Sequence, residues 1–121
     1  MHEHPVPPSA HPDDLARVTE VFKALSEPIR VQLVLLLTGS ERSVTQLVEA
    51  LDQPQSTVSR HLALLRSADL VKTRREGTSV HYRLADSHVA RLVREAFSHA
   101  QHERLGLPDH PSSEPVPGGV H

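Results

Sequence analysis

The sequence contains no cysteine. This absence excludes disulfide bonds and thiolate metal sites, and it leaves histidine and carboxylate side chains as the strong metal ligands. The sequence also has no apolar run close to the roughly 20 residues that a membrane helix needs, and no basic segment leads into an apolar one near its start. We therefore expect a cytoplasmic protein that does not bind membranes. No HExxH or similar arrangement is present, so we expect no metal hydrolase and no enzymatic activity.

The 121 residues fit one domain with a modest core. Eight of the ten prolines fall in residues 1–12 and 108–121. Segments of this composition rarely fold, so we predict a disordered N-terminal tail over residues 1–12 and a disordered C-terminal tail over residues 108–121. The folded domain is then expected to span residues 13–107.

Charge is distributed unevenly along the chain, although the net charge is only −2. Residues 54–94 contain eight Lys or Arg against three Asp or Glu, whereas residues 1–53 contain four against eight and residues 95–121 one against four. A basic segment within acidic flanks is typical of nucleic-acid binding and equally of a solvated surface. The charge pattern alone leaves both interpretations open.

Two helices are predicted in the first third of the chain. Pro12 and the acidic residues after it suit the first turn of a helix, and apolar side chains follow at helical spacing to about residue 25. A second helix begins at Pro28, is nearly all apolar, and stops at Gly39, where glycine can adopt the left-handed conformation. We expect this second helix to lie in the core.

The next two helices form a helix-turn-helix pattern. Ser43 and Gln46 match a capping box at the start of a third, short helix that ends near residue 51. A fourth helix begins at Pro54 and exposes small polar side chains near its start. Two short helices joined by a tight turn in this order are typical of a DNA-binding helix-turn-helix.

A β-hairpin follows. Residues 71–75 and 78–84 alternate at period two around Glu76 and Gly77, a loop of the kind that favours a primed hairpin turn. With a fifth helix beyond it, the chain is predicted to be α+β and mostly α: a winged helix-turn-helix with about five helices and a two-stranded wing, dimerised through its terminal helices.

Seven side chains are candidates for DNA contact. Those at the start of the fourth helix would enter the major groove, and the two arginines near the wing tip would reach phosphate or the minor groove. The candidates are Gln55, Ser56, Thr57, Ser59, Arg60, Arg74 and Arg75. We place His61 on the outer side of the fourth helix but expect it to pack and hydrogen-bond, and we expect His81 to lie in a strand; neither is a candidate metal ligand.

The fifth helix carries a row of histidines. Asp86 fits its N-cap, and His88, His99 and His102 fall within an arc of about 60° beside the apolar stripe, at about 100° per residue. The rise from His88 to His99 is roughly 16 Å, whereas zinc-to-nitrogen bonds are about 2.0 to 2.1 Å. One straight helix therefore cannot close a single metal site with both ends.

A second copy of the helix, packed antiparallel, would complete two symmetric sites. Asp86 and His88 of one chain would meet His99 and His102 of the other, which is a tetrahedral set for zinc, or for cobalt or nickel if further ligands join. The alternative is that these are surface histidines beside a dimer helix.

At this point the sequence resembles the ArsR/SmtB family of dimeric winged-helix repressors over nearly the whole folded region. Three segments carry the resemblance: ALSEPIR at residues 24–30, STVSRHLALL at 56–65 and RREGTSVHYRL at 74–84. The spacing of Asp86, His88, His99 and His102 looks like the C-terminal-helix site of the family's zinc, cobalt and nickel sensors.

The resemblance also implies which metals are excluded and where extra ligands lie. Residues 43–47 hold no cysteine, which argues against the thiolate site that other members use for arsenic, antimony or cadmium. The tail histidines His2, His4 and His110 resemble the extensions of mycobacterial-type nickel and cobalt sensors, although histidines are also common in disordered tails.

The resemblance implies a metal-responsive transcriptional repressor. A metal-free homodimer would bind double-stranded operator DNA, and zinc, nickel or cobalt would release it and derepress metal efflux or trafficking genes. An alternative is a winged-helix repressor whose zinc is structural and whose regulatory signal is different.

Overall fold

The computed structural model describes residues 9–106. Five helices and three strands follow one another in the order α1 (Pro12–Ala24), α2 (Pro28–Leu37), β1 (Arg42–Ser43), α3 (Val44–Leu51), α4 (Gln55–Ser67), β2 (Val71–Glu76), β3 (Ser79–Leu84) and α5 (Ser87–Leu105). The five predicted helices are all present, with α4 starting one residue after Pro54. Most of the predicted tails lies outside the described residues, so their disorder stays a prediction.

Local hydrogen bonds explain where α3 and α5 begin. The hydroxyl of Ser43 accepts from the amide of Gln46 at 3.2 Å, and the side chain of Gln46 accepts from the amide of Ser43 at 2.8 Å. This confirms the predicted capping box, which satisfies two amides that would lack helical partners. At α5, Oδ1 of Asp86 accepts from the amides of His88 and Val89, which confirms the predicted N-cap.

The wing belongs to a three-stranded antiparallel sheet in the order β1-β3-β2. The predicted two-stranded wing was therefore incomplete, because Arg42 and Ser43 pair with Tyr82 and His81 of β3. Two residues are too short to show the alternation that marks a strand.

The predicted hairpin turn was shifted by one residue. Glu76 pairs with Ser79, so the turn consists of Gly77 and Thr78 rather than Glu76 and Gly77. Gly77 has a φ of 61°, the left-handed conformation that a primed turn requires at its first central position.

The core forms around α2, as expected from its sequence. Its buried side chains pack against apolar side chains from α3, α4, β2 and α5, and the fully buried ones are Leu33, Val34, Leu37, Leu47, Val58, Leu62 and Leu65. Three of these seven lie on α4. The hydrophobic effect thus fixes one face of α4 and leaves its opposite face at the surface.

Apolar side chains of α1 and α5 remain uncovered. Leu15 and Phe22 are each 58% exposed, and the exposed set on the two helices is Leu15, Val18, Phe22, Leu92, Phe97 and Leu105, hereafter the terminal-helix face. Val18 and Leu92 line the same cavity, so the two rows are neighbours. A patch of this kind marks an interaction site. Over residues 9–106, no helix combines the length and apolarity that a membrane crossing requires.

Candidate DNA interface and metal site

The first turns of α4 present polar side chains to solvent. Gln55, Ser56 and Arg60 are exposed, Thr57 and Ser59 are half-buried, and Val58 between them is buried in the core. The five predicted residues thus lie together at the N-terminal end of one helix. Amide, hydroxyl and guanidinium groups are the donors and acceptors that read base edges in a major groove.

The two wing arginines differ in their surroundings. The Nη2 of Arg74 donates to Oε1 of Glu41 at 2.6 Å, its Nε lies 3.2 Å from both Glu41 oxygens, and its Nη1 lies 3.3 Å from Oε1 of Glu76. The guanidinium of Arg74, mainly through its hydrogen bond, holds the pKa of Glu41 below its ordinary value. Within residues 9–106, Arg75 makes no side-chain hydrogen bond or ion pair. Arg75 is therefore available to DNA, whereas Arg74 already contacts two carboxylates.

His61 lies on α4 and His81 on β3, the elements on which they were predicted. The His61 ring is buried and lies 3.0 Å from the Nη1 of Arg30, which confirms its packing and hydrogen-bonding role and shows that its placement on the outer side of α4 was wrong. His81 lies in β3, and its Nε2 is 3.7 Å from Oε1 of Glu76.

The N-terminal end of α5 holds one half of the candidate metal site. Asp86 and His88 line a cavity of about 330 Å³ between α1, the connection after α4, and α5. Arg17 and Asp69 line the same cavity and form an ion pair at 2.8 Å. Arg17 and Asp69, which no sequence pattern indicated, are thus the other charged side chains lining this cavity, and they pair with each other.

The C-terminal half of α5 holds the other two candidate ligands. His99 is exposed, His102 is half-buried, and Nε2 of His99 lies 3.8 Å from Oε2 of Glu103, a residue that sequence analysis did not single out. Within one copy of residues 9–106, no three His, Asp or Glu side chains come close enough to hold a metal ion. The structure therefore brings Asp86 near His88 but does not join them to His99 and His102. His2, His4 and His110 lie outside the described residues.

The available donor atoms fit a borderline metal such as zinc, cobalt or nickel. The N-cap bonds of Asp86 use only Oδ1. A carboxylate has lone pairs on both oxygens, so Oδ2 can accept a further ligand without loss of the cap. Imidazole and carboxylate groups are the ligands that zinc takes in cysteine-free sites. These donors lie as two candidate half-sites along a single helix, one near each end.

Comparison with known proteins places this architecture in a family. Residues 27–73 match the model for bacterial regulatory proteins of the arsR family. The HTH-type transcriptional regulator KmtR of Mycobacterium tuberculosis is 45% identical over 104 residues, which cover 85% of this chain and 80% of KmtR. The chain belongs to the ArsR family. This confirms the resemblance to ArsR/SmtB proteins.

Two further comparisons are informative. A cadmium resistance transcriptional regulatory protein CadC homolog of Staphylococcus aureus is 40% identical over 83 residues, covering 68% of this chain and 69% of its own. The homodimeric winged helix-turn-helix DNA-binding domain Mb0332 of Mycobacterium bovis superposes with a TM-score of 0.74 at 33% identity, covering 87% of this chain and 99% of that domain. This ArsR-family chain is thus a winged-helix transcriptional regulator and not an enzyme, as predicted.

Proposed function

We propose that this ArsR-family regulator is a metal-responsive repressor that acts as a homodimer. In this proposal the metal-free dimer binds a near-palindromic operator through two α4 helices. Binding of zinc, nickel or cobalt between the α5 helices releases the operator, and metal efflux or trafficking genes are derepressed.

One observation carries the proposal: α5 has two separated pairs of potential ligand side chains next to an uncovered apolar face. Asp86 and His88 lie near its start, and His99 and His102 lie roughly 16 Å further along the axis. Leu92 and Phe97, between them in the chain, remain exposed. A second copy packed antiparallel would cover these apolar side chains and would bring opposite half-sites together.

Homodimerisation has independent support. The terminal-helix face has large apolar side chains that a lone protomer leaves in water, and the structurally similar Mb0332 domain is homodimeric. The phenylalanines and leucines of the face are 38–58% exposed in one protomer, so burial by a second copy would contribute only half of the value for a fully exposed side chain, about 0.7 to 1.5 kcal/mol each. We infer that α1 and α5 form the dimer interface.

The metal-binding role of each side chain follows from its position. Asp86 and His88 would supply one oxygen and one nitrogen, and His99 and His102 of a second copy would supply two nitrogens. A bound metal would hold the two α5 helices at one separation and angle. Because α5 packs on α2, and α2 packs on α4, a change at this interface would alter the spacing of the two recognition helices. Metal and DNA would then oppose each other by a reciprocal coupling free energy.

The direct test measures DNA affinity with and without metal. Fluorescence anisotropy of a labelled fragment from upstream of the gene would be recorded with metal-stripped protein and then with zinc, cobalt and nickel in turn. We expect the metal to weaken DNA binding by about 5- to 150-fold at one metal per protomer. Tight DNA binding that no metal alters would contradict the proposal and would favour a structural zinc site.

Glu41 is expected to restrain the wing. Because Glu41 neutralises Arg74 and places a carboxylate near the DNA backbone, Glu41→Gln should tighten DNA binding by about two- to tenfold and increase the salt dependence by about one phosphate contact. A salt series of binding isotherms measures both effects.

Asp13→Asn is the matched control for Glu41→Gln. It removes the same charge from an exposed position in the first turn of α1, outside the wing and outside the terminal-helix face. Equal effects of the two substitutions would show that Glu41 acts only through net charge. If Glu41→Gln leaves the DNA affinity unchanged while Arg75→Ala weakens it, Arg75 contacts DNA and Arg74 does not.

A further inference from the structure

Two buried polar side chains lie next to each other between helices. Arg30 on α2 is 8% exposed and His61 on α4 is 6% exposed, and they are the buried polar residues found over residues 9–106. Arginine is almost never this buried unless its N–H groups are satisfied. The polar groups of these two side chains must therefore have hydrogen-bond partners inside the protein.

Arg30 contacts two helices besides its own. Its Nε donates to the carbonyl oxygen of Ala24 at 2.6 Å, and its Nη2 donates to that of Lys23 at 3.4 Å. Its Nη1 lies 3.0 Å from Nδ1 of His61. Lys23 and Ala24 are the last residues of α1, and the Lys23 oxygen also accepts from the amide and the hydroxyl of Ser26 at 3.2 and 2.7 Å. One guanidinium thus caps α1 and binds the recognition helix.

The chemistry of this contact fixes the state of His61. A guanidinium has donors only and stays charged, so Nδ1 of His61 must accept, and the neutral ring carries its proton on Nε2. Burial is the main cause that lowers the pKa of His61 below 6.5, followed by the positive charges of Arg60 and Arg30, with Glu27 of α2 opposing them. On α1, Glu20 and Lys23 line the adjoining cavity and lie 3.8 Å from each other.

Direct packing between α1 and α4 is incomplete at this point. A cavity of about 190 Å³ lies between Glu20, Lys23 and Ala24 of α1 and Leu64 and Ser67 of α4, and Arg30 lines it as well. Arg30 spans this gap with hydrogen bonds. Its bonds at both ends are directional, whereas the apolar contacts around the cavity are not.

We propose that Arg30 and His61 are positioning residues that fix the recognition helix relative to the end of α1. Since α1 contributes to the terminal-helix face, this link would carry the geometry of that face to the DNA-binding surface. The proposed effect of this link on DNA affinity does not depend on metal binding. A role of the link in the metal response rests on the function proposed above.

The test compares substitutions that keep or remove the acceptor. His61→Asn retains an acceptor close to the Nδ1 position, whereas His61→Leu removes it at similar bulk; Arg30→Met removes the donors. We expect His61→Leu and Arg30→Met to weaken metal-free DNA binding by about tenfold, and His61→Asn by less than about threefold. Equal affinities of His61→Leu and His61→Asn would overturn the proposal.

A distance measurement separates positioning from loss of folding. The chain has no cysteine, so Ala63→Cys places a single spin label on the exposed side of α4. The comparison uses only variants whose circular dichroism and dimerisation match those of the labelled Ala63→Cys protein. We expect the distance distribution between the two labels of a dimer to be broader in Ala63→Cys with Arg30→Met than in Ala63→Cys alone. Identical distributions would contradict the link. These measurements use metal-free protein. If metal does not change the DNA affinity of the wild-type dimer, the proposed metal response is contradicted but the positioning role of Arg30 and His61 is not.

The pH dependence gives a further readout. Because the pKa of His61 is lowered in the folded state, its ring stays neutral and keeps its hydrogen bond as the pH falls below 6.5, and the bond is lost as the pH falls through the lowered pKa. Metal-free DNA affinity should therefore fall more steeply over that acidic range in the wild type than in His61→Asn. The other histidines are common to both proteins, so the difference isolates His61. Superimposable pH profiles would count against the link.

Discussion

His99→Ala is expected to produce a repressor that no longer responds to metal. The wild-type operator complex should weaken by about 5- to 150-fold when metal is added, whereas the His99→Ala complex should change by less than about twofold. His99 is exposed on α5, and its recorded contact within residues 9–106 is the 3.8 Å approach to Glu103. Its removal therefore should cost little in folding but would remove one ligand from each of the two proposed metal sites.

The same titration distinguishes sensing from general damage to α5. Gln101→Ala changes an exposed side chain two positions away and should leave both the metal-free affinity and the metal response unchanged. Metal-free His99→Ala should bind the operator as tightly as the wild type, because the α4 surface is unaltered. A His99→Ala variant that metal still releases would show that the site lies elsewhere. A variant that fails to bind DNA without metal would show that His99 has a structural role.

A substitution should separate the observed capping role of Asp86 from its proposed role as a metal ligand. Its Oδ1 caps α5 through the amides of His88 and Val89, so Asp86→Ala would lose both a ligand and an N-cap. Asp86→Ser keeps a capping oxygen and removes the second carboxylate oxygen. A metal response lost in Asp86→Ser, at a melting temperature close to that of the wild type, would assign the effect to ligation rather than to capping.

Features that depend on neighbouring residues were predictable from the sequence. The capping box of Ser43 and Gln46, the N-cap at Asp86 and the apolar face of each helix involve residues within about one or two helical turns. The five helices and the hairpin followed from them. The arrangement of His88, His99 and His102 along one edge was predictable for the same reason, since helix geometry relates residues on one element without any tertiary information.

Features that depend on distant residues were not predictable. Glu41 and Arg74 are 33 positions apart, and Arg30 and His61 are 31 positions apart. Nothing in a single sequence relates such pairs, because their proximity results from how helices and strands pack. The strand β1 was missed for a similar reason, since its identity comes from pairing with β3 and not from its own two residues. The sequence therefore indicated Arg74 as a DNA contact without indicating the carboxylates that bind it.

Disrupting the terminal-helix face is expected to have the largest effect on DNA binding. Phe22→Glu replaces an apolar side chain with a carboxylate. The Phe22 side chain is 58% exposed in one protomer and would be buried in the dimer. The protomer itself should fold normally, because Phe22 lies outside the buried core. A buried, unpaired carboxylate in the interface is costly, so we expect the protein to be monomeric at micromolar concentration. Sedimentation velocity measures this directly.

Operator affinity should fall by about 100-fold or more in Phe22→Glu, because one α4 helix per molecule can engage only one half-site and the gain from linked binding is lost. Leu35→Glu is the matched control: Leu35 is 37% exposed but lies on α2, outside the terminal-helix face. It should leave the protein dimeric and its DNA affinity nearly unchanged. A dimeric Phe22→Glu protein with wild-type affinity would exclude α1 from the interface. A monomeric Phe22→Glu protein with wild-type affinity would show that a single winged helix suffices for tight operator binding. The proposed role of antiparallel α5 pairing in DNA release would then be contradicted.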